Sequence, residues 1–111
     1  MSPEPVMIAF SKGGCAGCLI LEPKIDNLAK EYSQRGVKFT KMRVIDFFST
    51  WKEKEIAEQY DLTMFPTVVL FVGGVEKRRW TVRYNMDSYR EALEAVARPP
   101  TATMPGRPER P

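Results

Sequence analysis

Two cysteines, separated by two residues, lie where the hydrophobic pattern of the chain changes its period. Residues 6–10 form a continuous apolar run, which is typical of a central β-strand covered on both faces. From Cys15 to Tyr32, apolar residues recur at helical spacing with charged residues mainly between them. Cys15 and Cys18 therefore stand at the junction of a buried strand and an amphipathic helix. This junction favours an α/β fold.

Composition restricts the chemistry that the chain can carry out. Its 111 residues include two cysteines and no histidine. The lack of histidine excludes Ser-His-Asp and Cys-His nucleophile systems and any metal site that needs imidazole. Two cysteines are too few for a disulfide-dense secreted scaffold or for a closed all-cysteine zinc site in one chain. Any covalent chemistry is therefore assigned to Cys15 and Cys18.

The whole pattern predicts seven elements in the order βαβαββα, with a central mixed sheet flanked by helices. In chain order they are a strand at 6–10, a helix from 15 to 36, a strand at 37–45, a helix ending near 60, strands at 67–72 and 75–84, and a helix from Asn85 or Asp87 through Ala97. Gly73 and Gly74 supply the hairpin turn between the last two strands.

Helix ends are predicted from individual residues. A kink is expected at Pro23, and Gly36 is placed as the C-cap of the first helix. For the second helix, Ser49 or Thr50 is the expected N-cap, with Glu53 completing a capping box from Thr50.

Length and charge predict one soluble domain with a tail. The length allows one domain, placed at residues 1–97, and residues 98–111 hold five of the nine prolines, so a disordered tail is expected there. Without that tail the net charge falls from +3 to +1, which does not indicate a nucleic-acid binder. We find no apolar run near the roughly 18 residues that span a bilayer and no basic region of a signal peptide. We therefore expect a cytoplasmic monomer without nucleic-acid or membrane partners.

The position of the cysteines gives them a chemical use. Residues at i and i+3 share a helix face, so Cys15 and Cys18 can form a disulfide with little rearrangement. A helix N-terminus favours thiolate over thiol, and a cysteine there can have its pKa lowered from about 8.5 to roughly 3.5–7.5. We expect Cys15 to be the exposed nucleophile and Cys18 the resolving thiol. Half of a metal site, a structural disulfide and two small core residues remain as alternatives for the motif alone.

The residues around the pair resemble the thioredoxin superfamily from residue 6 to residue 96. Phe10, Cys15-x-x-Cys18, Pro23 and residues 25–32 look like that family's active-site strand and kinked helix. Phe65-Pro66-Thr67, before an apolar strand and a Gly-Gly hairpin, looks like its cis-proline loop. The resemblance implies a thioredoxin-like fold that lacks the family's first strand and helix.

The resemblance also implies where a substrate binds. Pro66 would be cis and packed against the disulfide, and the backbone of Phe65 would pair with an extended substrate. The implied substrate-binding residues are Gly14, Ala16, Gly17, Phe65 and Pro66.

Two departures from the family pattern bear on the reaction. The usual Trp-Cys-Gly-Pro-Cys is replaced by Gly14-Cys15-Ala16-Gly17-Cys18. Ala9 stands at the strand position where thioredoxins usually bury an aspartate. The expected function is a thiol-disulfide oxidoreductase that acts on protein disulfides, is regenerated by an upstream disulfide reductase, and has no bound cofactor or metal. The alternatives are a binding module that uses the pair as a redox switch or a Cu(I) or shared zinc site, and a purely structural adaptor.

An apolar docking rim is a further possibility beside the pair. Its candidate residues are Phe47, Phe48, Trp51, Met64 and Phe65. The competing interpretation is that most of them belong to the core.

Charged residues near the pair have equally open roles. Glu22 and Asp46 are expected near the pair. The alternative for either residue is a side chain that is simply solvated. Lys41 either matches the family's buried lysine or is solvated as well. Residues 77–79, Lys-Arg-Arg, either attract an acidic partner or form a charged sheet edge.

Overall fold

The computed structural model describes residues 4–46 and 51–100. Its elements are β1 (Pro5–Lys12), α1 (Ala16–Tyr32), β2 (Lys38–Ile45), α2 (Lys54–Gln59), β3 (Thr67–Val72), β4 (Val75–Thr81) and α3 (Met86–Val96), with a 3₁₀ turn at Ser33–Arg35. The predicted order βαβαββα is confirmed.

The four strands form one mixed sheet in the order β2-β1-β3-β4. β1 runs parallel to β2 and antiparallel to β3, and β4 pairs antiparallel with β3 at the edge. The central place of β1 explains its uninterrupted apolar sequence, because both of its faces are covered. Lys77, Arg78 and Arg79 lie on the edge strand, where charged side chains oppose pairing with another sheet.

Each face of the sheet carries its own hydrophobic cluster. On the face covered by α1 and α3, the cluster includes Met7, Leu28, Trp80, Tyr89 and Leu93. On the face covered by α2, it includes Phe10, Val44, Ala57, Leu62 and Val69. Each large apolar side chain buried in this way stabilises the fold by about 1.5–3 kcal/mol. β1 contributes to both clusters and so holds the residues before Cys15 rigidly.

The first helix begins where predicted but ends before Gly36, because Ser33 is its C-cap and Gly36 closes the 3₁₀ turn that follows. Cys15 is the N-cap, and its Sγ accepts a hydrogen bond from the backbone N–H of Cys18. The helix continues through Pro23 to Tyr32 and is followed by the 3₁₀ turn. Gly36 then adopts a φ of 88°, a left-handed conformation that glycine enters without steric cost.

The second helix starts later than predicted. α2 begins at Lys54 with Glu53 as its N-cap and without a side-chain capping bond, so the predicted capping box is wrong. The backbone N–H groups of Lys52 and Glu53 both donate to the carbonyl of Val44, and Trp51 forms a β-bridge with Ile45. These bonds hold the chain against the end of β2 and delay the helix. Ser49 and Thr50 lie outside the described residues.

The last helix is anchored beyond its final turn. Asn85 caps α3 by accepting from the N–H of Asp87, as predicted. The N–H of Arg98 donates to the carbonyl of Arg35, and the Nε of Arg35 donates to the carbonyl of Arg98. The predicted domain boundary after residue 97 stays a prediction, and residues 101–111 of the predicted tail lie outside the described part. In the described part of the chain, no helix is long and apolar enough to cross a membrane.

Candidate functional site

Cys15 and Cys18 form a disulfide at the N-terminus of α1, with their Cα atoms 5.3 Å apart. The Cys18 N–H lies 3.1 Å from the Cys15 Sγ, so the helix N-terminus directs a backbone donor at this sulfur. Cys15 is 8% exposed and Cys18 4%. The prediction of an exposed Cys15 is wrong for this oxidised pair, because its side chain turns toward the helix to bond with Cys18.

The loop before β3 faces the pair with a proline. The Phe65–Pro66 peptide bond is cis, as the resemblance implies. Pro66 and Cys18 line one cavity, so the two residues are brought together. The loop is fixed at both ends, because the Thr67 hydroxyl donates to the Met64 carbonyl and the Val82 N–H donates to the Pro66 carbonyl.

Gly17, Pro66 and Tyr84 meet beside the disulfide. A Cβ placed on Gly17 would collide with the Tyr84 hydroxyl and would lie 3.3 Å from the Pro66 Cδ. The glycine between the cysteines therefore makes room for the end of the tyrosine side chain. Tyr84, which is 37% exposed, was not predicted as a site residue, and no local sequence pattern links it to Gly17.

The segment that carries Tyr84 has an uncommon backbone. Val82 adopts a φ of 52°, and a left-handed conformation costs an L-residue about 1–2 kcal/mol. The Tyr89 hydroxyl donates to the carbonyl of Arg83 at 2.8 Å and fixes the next residue. Burial raises the pKa of Tyr89 well above its ordinary value, so this hydroxyl stays protonated and keeps donating.

Two cavities adjoin Cys18, and Glu22 lines both. The inner one, of about 10 Å³, lies against Ala9 and Pro66 and also reaches Lys41. The outer one, of about 50 Å³, opens beside Cys15. Glu22 therefore lies near the pair, as expected.

Lys41 joins the inner cavity from β2 but is not buried. Its Nζ lies 3.2 Å from a carboxylate oxygen of Asp26, and both side chains are about half exposed. The interpretation of Lys41 as a solvated lysine is the one that the structure supports.

The candidate docking rim divides between core and surface. Met64 and Trp51 are exposed, whereas Phe65 is partly buried against the cluster under α2. Phe47 and Phe48 lie outside the described residues. Leu19 and Ile20, which follow Cys18 directly, are exposed as well and add an apolar surface that was not predicted.

The described residues include no group of three or more Cys, Asp or Glu side chains that could hold a metal ion. The expected absence of a metal and of a bound cofactor stays a prediction. Within this part of the chain, the chemistry of the site is that of the two sulfurs.

Comparison with known proteins places this site in a family. The chain is 36% identical over 76 residues to a chloroplastic M-type thioredoxin of Spinacia oleracea, covering 68% of this chain and 38% of that protein. It is 34% identical over 74 residues to a thioredoxin of Mycoplasma genitalium, covering 67% of this chain and 65% of that protein. The chain thus aligns with less than two thirds of the length of either relative.

A solved structure and a family model extend this similarity. The crystal structure of Fasciola hepatica thioredoxin matches with a TM-score of 0.67 and 28% identity, over 84% of this chain and 81% of that one. The family model described as Thioredoxin matches residues 1–95. With most of its length covered by that model, and with a Cys-x-x-Cys disulfide opening its first helix, the chain belongs to the thioredoxin family.

Proposed function

We propose that the protein is a thiol-disulfide oxidoreductase that reduces or exchanges disulfide bonds of protein substrates. The observation that carries the proposal is the Cys15–Cys18 disulfide at the N-terminus of α1, whose Cys18 lines one cavity together with the cis residue Pro66. Family membership and the spacing of the pair support thiol-disulfide oxidoreductase activity in general.

In the proposed reaction Cys15 is the nucleophile. Its thiolate, favoured by the helix N-terminus, attacks one sulfur of a substrate disulfide. The other substrate sulfur leaves as a thiolate and takes up a proton from the solvent, the equivalent of the one that Cys15 released. Cys18 then attacks the Cys15 Sγ, which forms the Cys15–Cys18 disulfide and releases the second substrate thiol. Two electrons and two protons pass from the reduced pair to the substrate. A dithiol reductase upstream returns them by the same two steps in reverse.

The substrate-binding part of the proposal rests on the two loops that flank the disulfide. Pro66 has no N–H, and its carbonyl already accepts from Val82. The backbone of Phe65 is therefore the neighbouring group assigned to pairing with an extended substrate. The remaining assigned residues, Gly14, Ala16 and Gly17, surround the cysteines and present only small side chains, which allows a substrate backbone to come close.

The partners and the location are part of the same proposal. A disulfide-containing protein and a disulfide reductase are the proposed partners of a monomeric chain, without nucleic acid or membrane. A cytoplasmic location is proposed although the relatives include both bacterial and chloroplastic proteins.

Insulin reduction with dithiothreitol as the reductant tests the activity. We expect the wild type to turn over and Cys15→Ser to fall to the uncatalysed background, because the attacking thiolate is lost. Reduced Cys18→Ser, freed of dithiothreitol before insulin is added, should accumulate a mixed disulfide on Cys15, visible as an increase in mass. Wild-type protein alkylated in its reduced form is the matched control without activity.

Two results would contradict the proposal. Tight binding of Cu(I) or zinc by the reduced pair, with no insulin turnover, would identify a binding module. Partner capture that is unaffected in both serine variants, again without turnover, would identify a structural adaptor. A reduction potential near about −270 mV would then assign an active protein as a reductant, and one of about −180 to −120 mV as an isomerase or oxidant.

A further inference from the structure

In the proposed reaction, Cys18 has to give up a proton at a place that water hardly reaches. Its side chain is 4% exposed, and only the thiolate attacks a disulfide. Because burial disfavours the charged form, a nearby group that takes the proton would speed the second step. The following inference rests on the proposed oxidoreductase function.

We propose that Glu22 is the proton acceptor of Cys18 during resolution of the mixed disulfide. Glu22 follows Cys18 by four residues on α1, and residues at this spacing lie on the same helix face. Glu22 lines both the inner and the outer cavity beside Cys18. The inner cavity, of about 10 Å³, is close to the smallest volume that holds one water molecule. A single water held there is the proposed link between the thiol and the carboxylate.

The other charged groups at these cavities cannot take the proton. Lys41 faces the inner cavity from β2, and Lys12 and Arg43 face the outer one from β1 and β2. Ammonium and guanidinium groups are hydrogen-bond donors without an acceptor, so they offer no base for the thiol proton. Ser11, which lines both cavities, offers a neutral hydroxyl that is a far weaker base than a carboxylate.

A second carboxylate on α1 provides the contrast. Asp26 lies four residues after Glu22 but pairs with Lys41 at 3.2 Å and lines neither cavity. Within residues 4–46 and 51–100, Glu22 forms no ion pair. Its carboxylate is therefore available to a proton from the cavity side.

Proton transfer from Cys18 precedes its attack on the mixed disulfide. The proton of the Cys18 thiol moves through the water to a Glu22 oxygen, and the S–H bond breaks as the O–H bond forms. The Cys18 thiolate attacks the Cys15 Sγ, the new Cys15–Cys18 bond forms, and the bond between Cys15 and the substrate sulfur breaks. The substrate leaves as a thiolate and takes a proton from Glu22 or from water. No oxidant or reductant beyond the substrate is needed.

A stopped-flow experiment with dithiobis(nitrobenzoate) separates the two thiol steps. With reduced protein in excess, attack by Cys15 releases one coloured nitrothiobenzoate anion in a concentration-dependent phase. Attack by Cys18 releases the second one in a concentration-independent phase. Both rates are recorded across the neutral pH range for wild type, Glu22→Gln, Glu22→Asp and the matched control Asp26→Asn.

We expect Glu22→Gln to slow the second phase by about a hundredfold at neutral pH, the lower end of general-base contributions, and to move its pH profile to higher pH. The first phase keeps its rate or becomes slightly faster, and an unchanged circular dichroism spectrum shows that the variant is folded. Glu22→Asp regains part of the rate, and Asp26→Asn behaves as wild type.

The direction in which Glu22→Gln changes the rate of the second phase distinguishes a proton acceptor from a purely electrostatic role. If Glu22 acted only through its charge, its removal would favour the Cys18 thiolate and speed the second phase. A second phase that is unchanged or faster in Glu22→Gln, or equally slow in Asp26→Asn, would overturn the inference. A wild type that never releases the second anion would instead contradict the proposed function itself.

Discussion

The two ends of α1 are built in opposite ways. At the C-terminal end, Arg35 donates to both carboxylate oxygens of Glu94 at 2.8 Å and to the Arg98 carbonyl at 2.7 Å, and its guanidinium lies 5.1 Å from the centre of the Tyr32 ring. The Tyr32 hydroxyl also donates to Glu94. This end is a fully bonded polar network that joins α1, the 3₁₀ turn and α3.

The N-terminal end is shaped by close steric fit around the disulfide. Around the disulfide, Gly17 leaves space for Tyr84, and Val82 keeps a left-handed backbone. The difference indicates that stabilisation of the fold and sulfur chemistry are carried by opposite ends of one helix. Charge-assisted bonds stabilise the far end, whereas the reacting end keeps its polar groups for sulfur chemistry and its surface for a partner. Three predictions about stability test this separation.

The largest effect is expected at the polar end. Hydrogen bonds from Arg35 and then from Tyr32 lower the pKa of Glu94 from 4.5 to about 2. Glu94→Gln leaves the Arg35 charge, whose side chain is 10% exposed, without its counter-ion. We expect this variant to lose more free energy of unfolding in urea at neutral pH than either variant below, while insulin turnover stays unchanged.

The pH dependence has a definite sign. A carboxylate whose pKa is lower in the folded state stabilises the fold above its ordinary pKa and loses that effect as the pH falls toward the folded value. The difference between wild type and Glu94→Gln should therefore be full at neutral pH and narrow from pH 4.5 toward about 2. The control is Glu31→Gln, whose partner Arg90 is about half exposed, so a smaller loss is expected. Equal losses of free energy of unfolding in Glu94→Gln and Glu31→Gln would show that the Arg35–Glu94 network stabilises the fold no more than an exposed ion pair does.

The features that could be read from the sequence are those carried by local pattern. The positions of most strands and helices follow from hydrophobic periodicity, and the start of α3 at Asn85 and the left-handed Gly36 beyond α1 follow from residue type near an expected boundary. The disulfide and the cis bond before Pro66 also came from short motifs, the latter through family resemblance. Each of these signals lies within a few neighbouring residues.

The features that were missed depend on groups far apart in the chain. Glu53 is the N-cap because the N–H groups of Lys52 and Glu53 donate to the carbonyl of Val44. No sequence rule for capping includes a bond to a neighbouring strand. The contact of Tyr84 with Gly17 and the pairing of Arg35 with Glu94 join residues from distant elements. A left-handed Val82 contradicts the local preference of a β-branched residue, so only tertiary contacts explain it.

An intermediate effect is expected where Gly17 meets Tyr84. In the wild-type background, Gly17→Ala should lower the free energy of unfolding by about 1 kcal/mol, the low end for overpacking, because the partly exposed tyrosine can turn outward. In the Tyr84→Phe background the colliding hydroxyl is gone. The 3.3 Å approach of the new Cβ to the Pro66 Cδ remains there and offsets the better helix propensity of alanine, so the same substitution should be close to neutral.

Urea denaturation of the four proteins in this cycle measures the coupling directly, with Tyr84→Phe alone as the control for the loss of the hydroxyl. Two residues in contact are expected to couple by more than about 0.5 kcal/mol. Equal effects of Gly17→Ala in both backgrounds would show that steric fit does not operate at the reacting end.

The smallest effect is expected at Val82. Replacement by glycine removes the left-handed cost of about 1–2 kcal/mol but adds about 0.4–1 kcal/mol of unfolded-state entropy, so Val82→Gly should gain about 0.5 kcal/mol. Val75→Gly is the matched control, because Val75 lies in β4 without a positive φ, and there the same change should cost about 0.5–1 kcal/mol. A gain in stability for Val82→Gly and a loss for Val75→Gly, measured by thermal unfolding, would show backbone strain near the reacting end of α1. The end around Arg35 is stabilised by hydrogen bonds instead. A loss at Val82 as large as that at Val75 would mean that the contacts of this side chain outweigh its backbone strain.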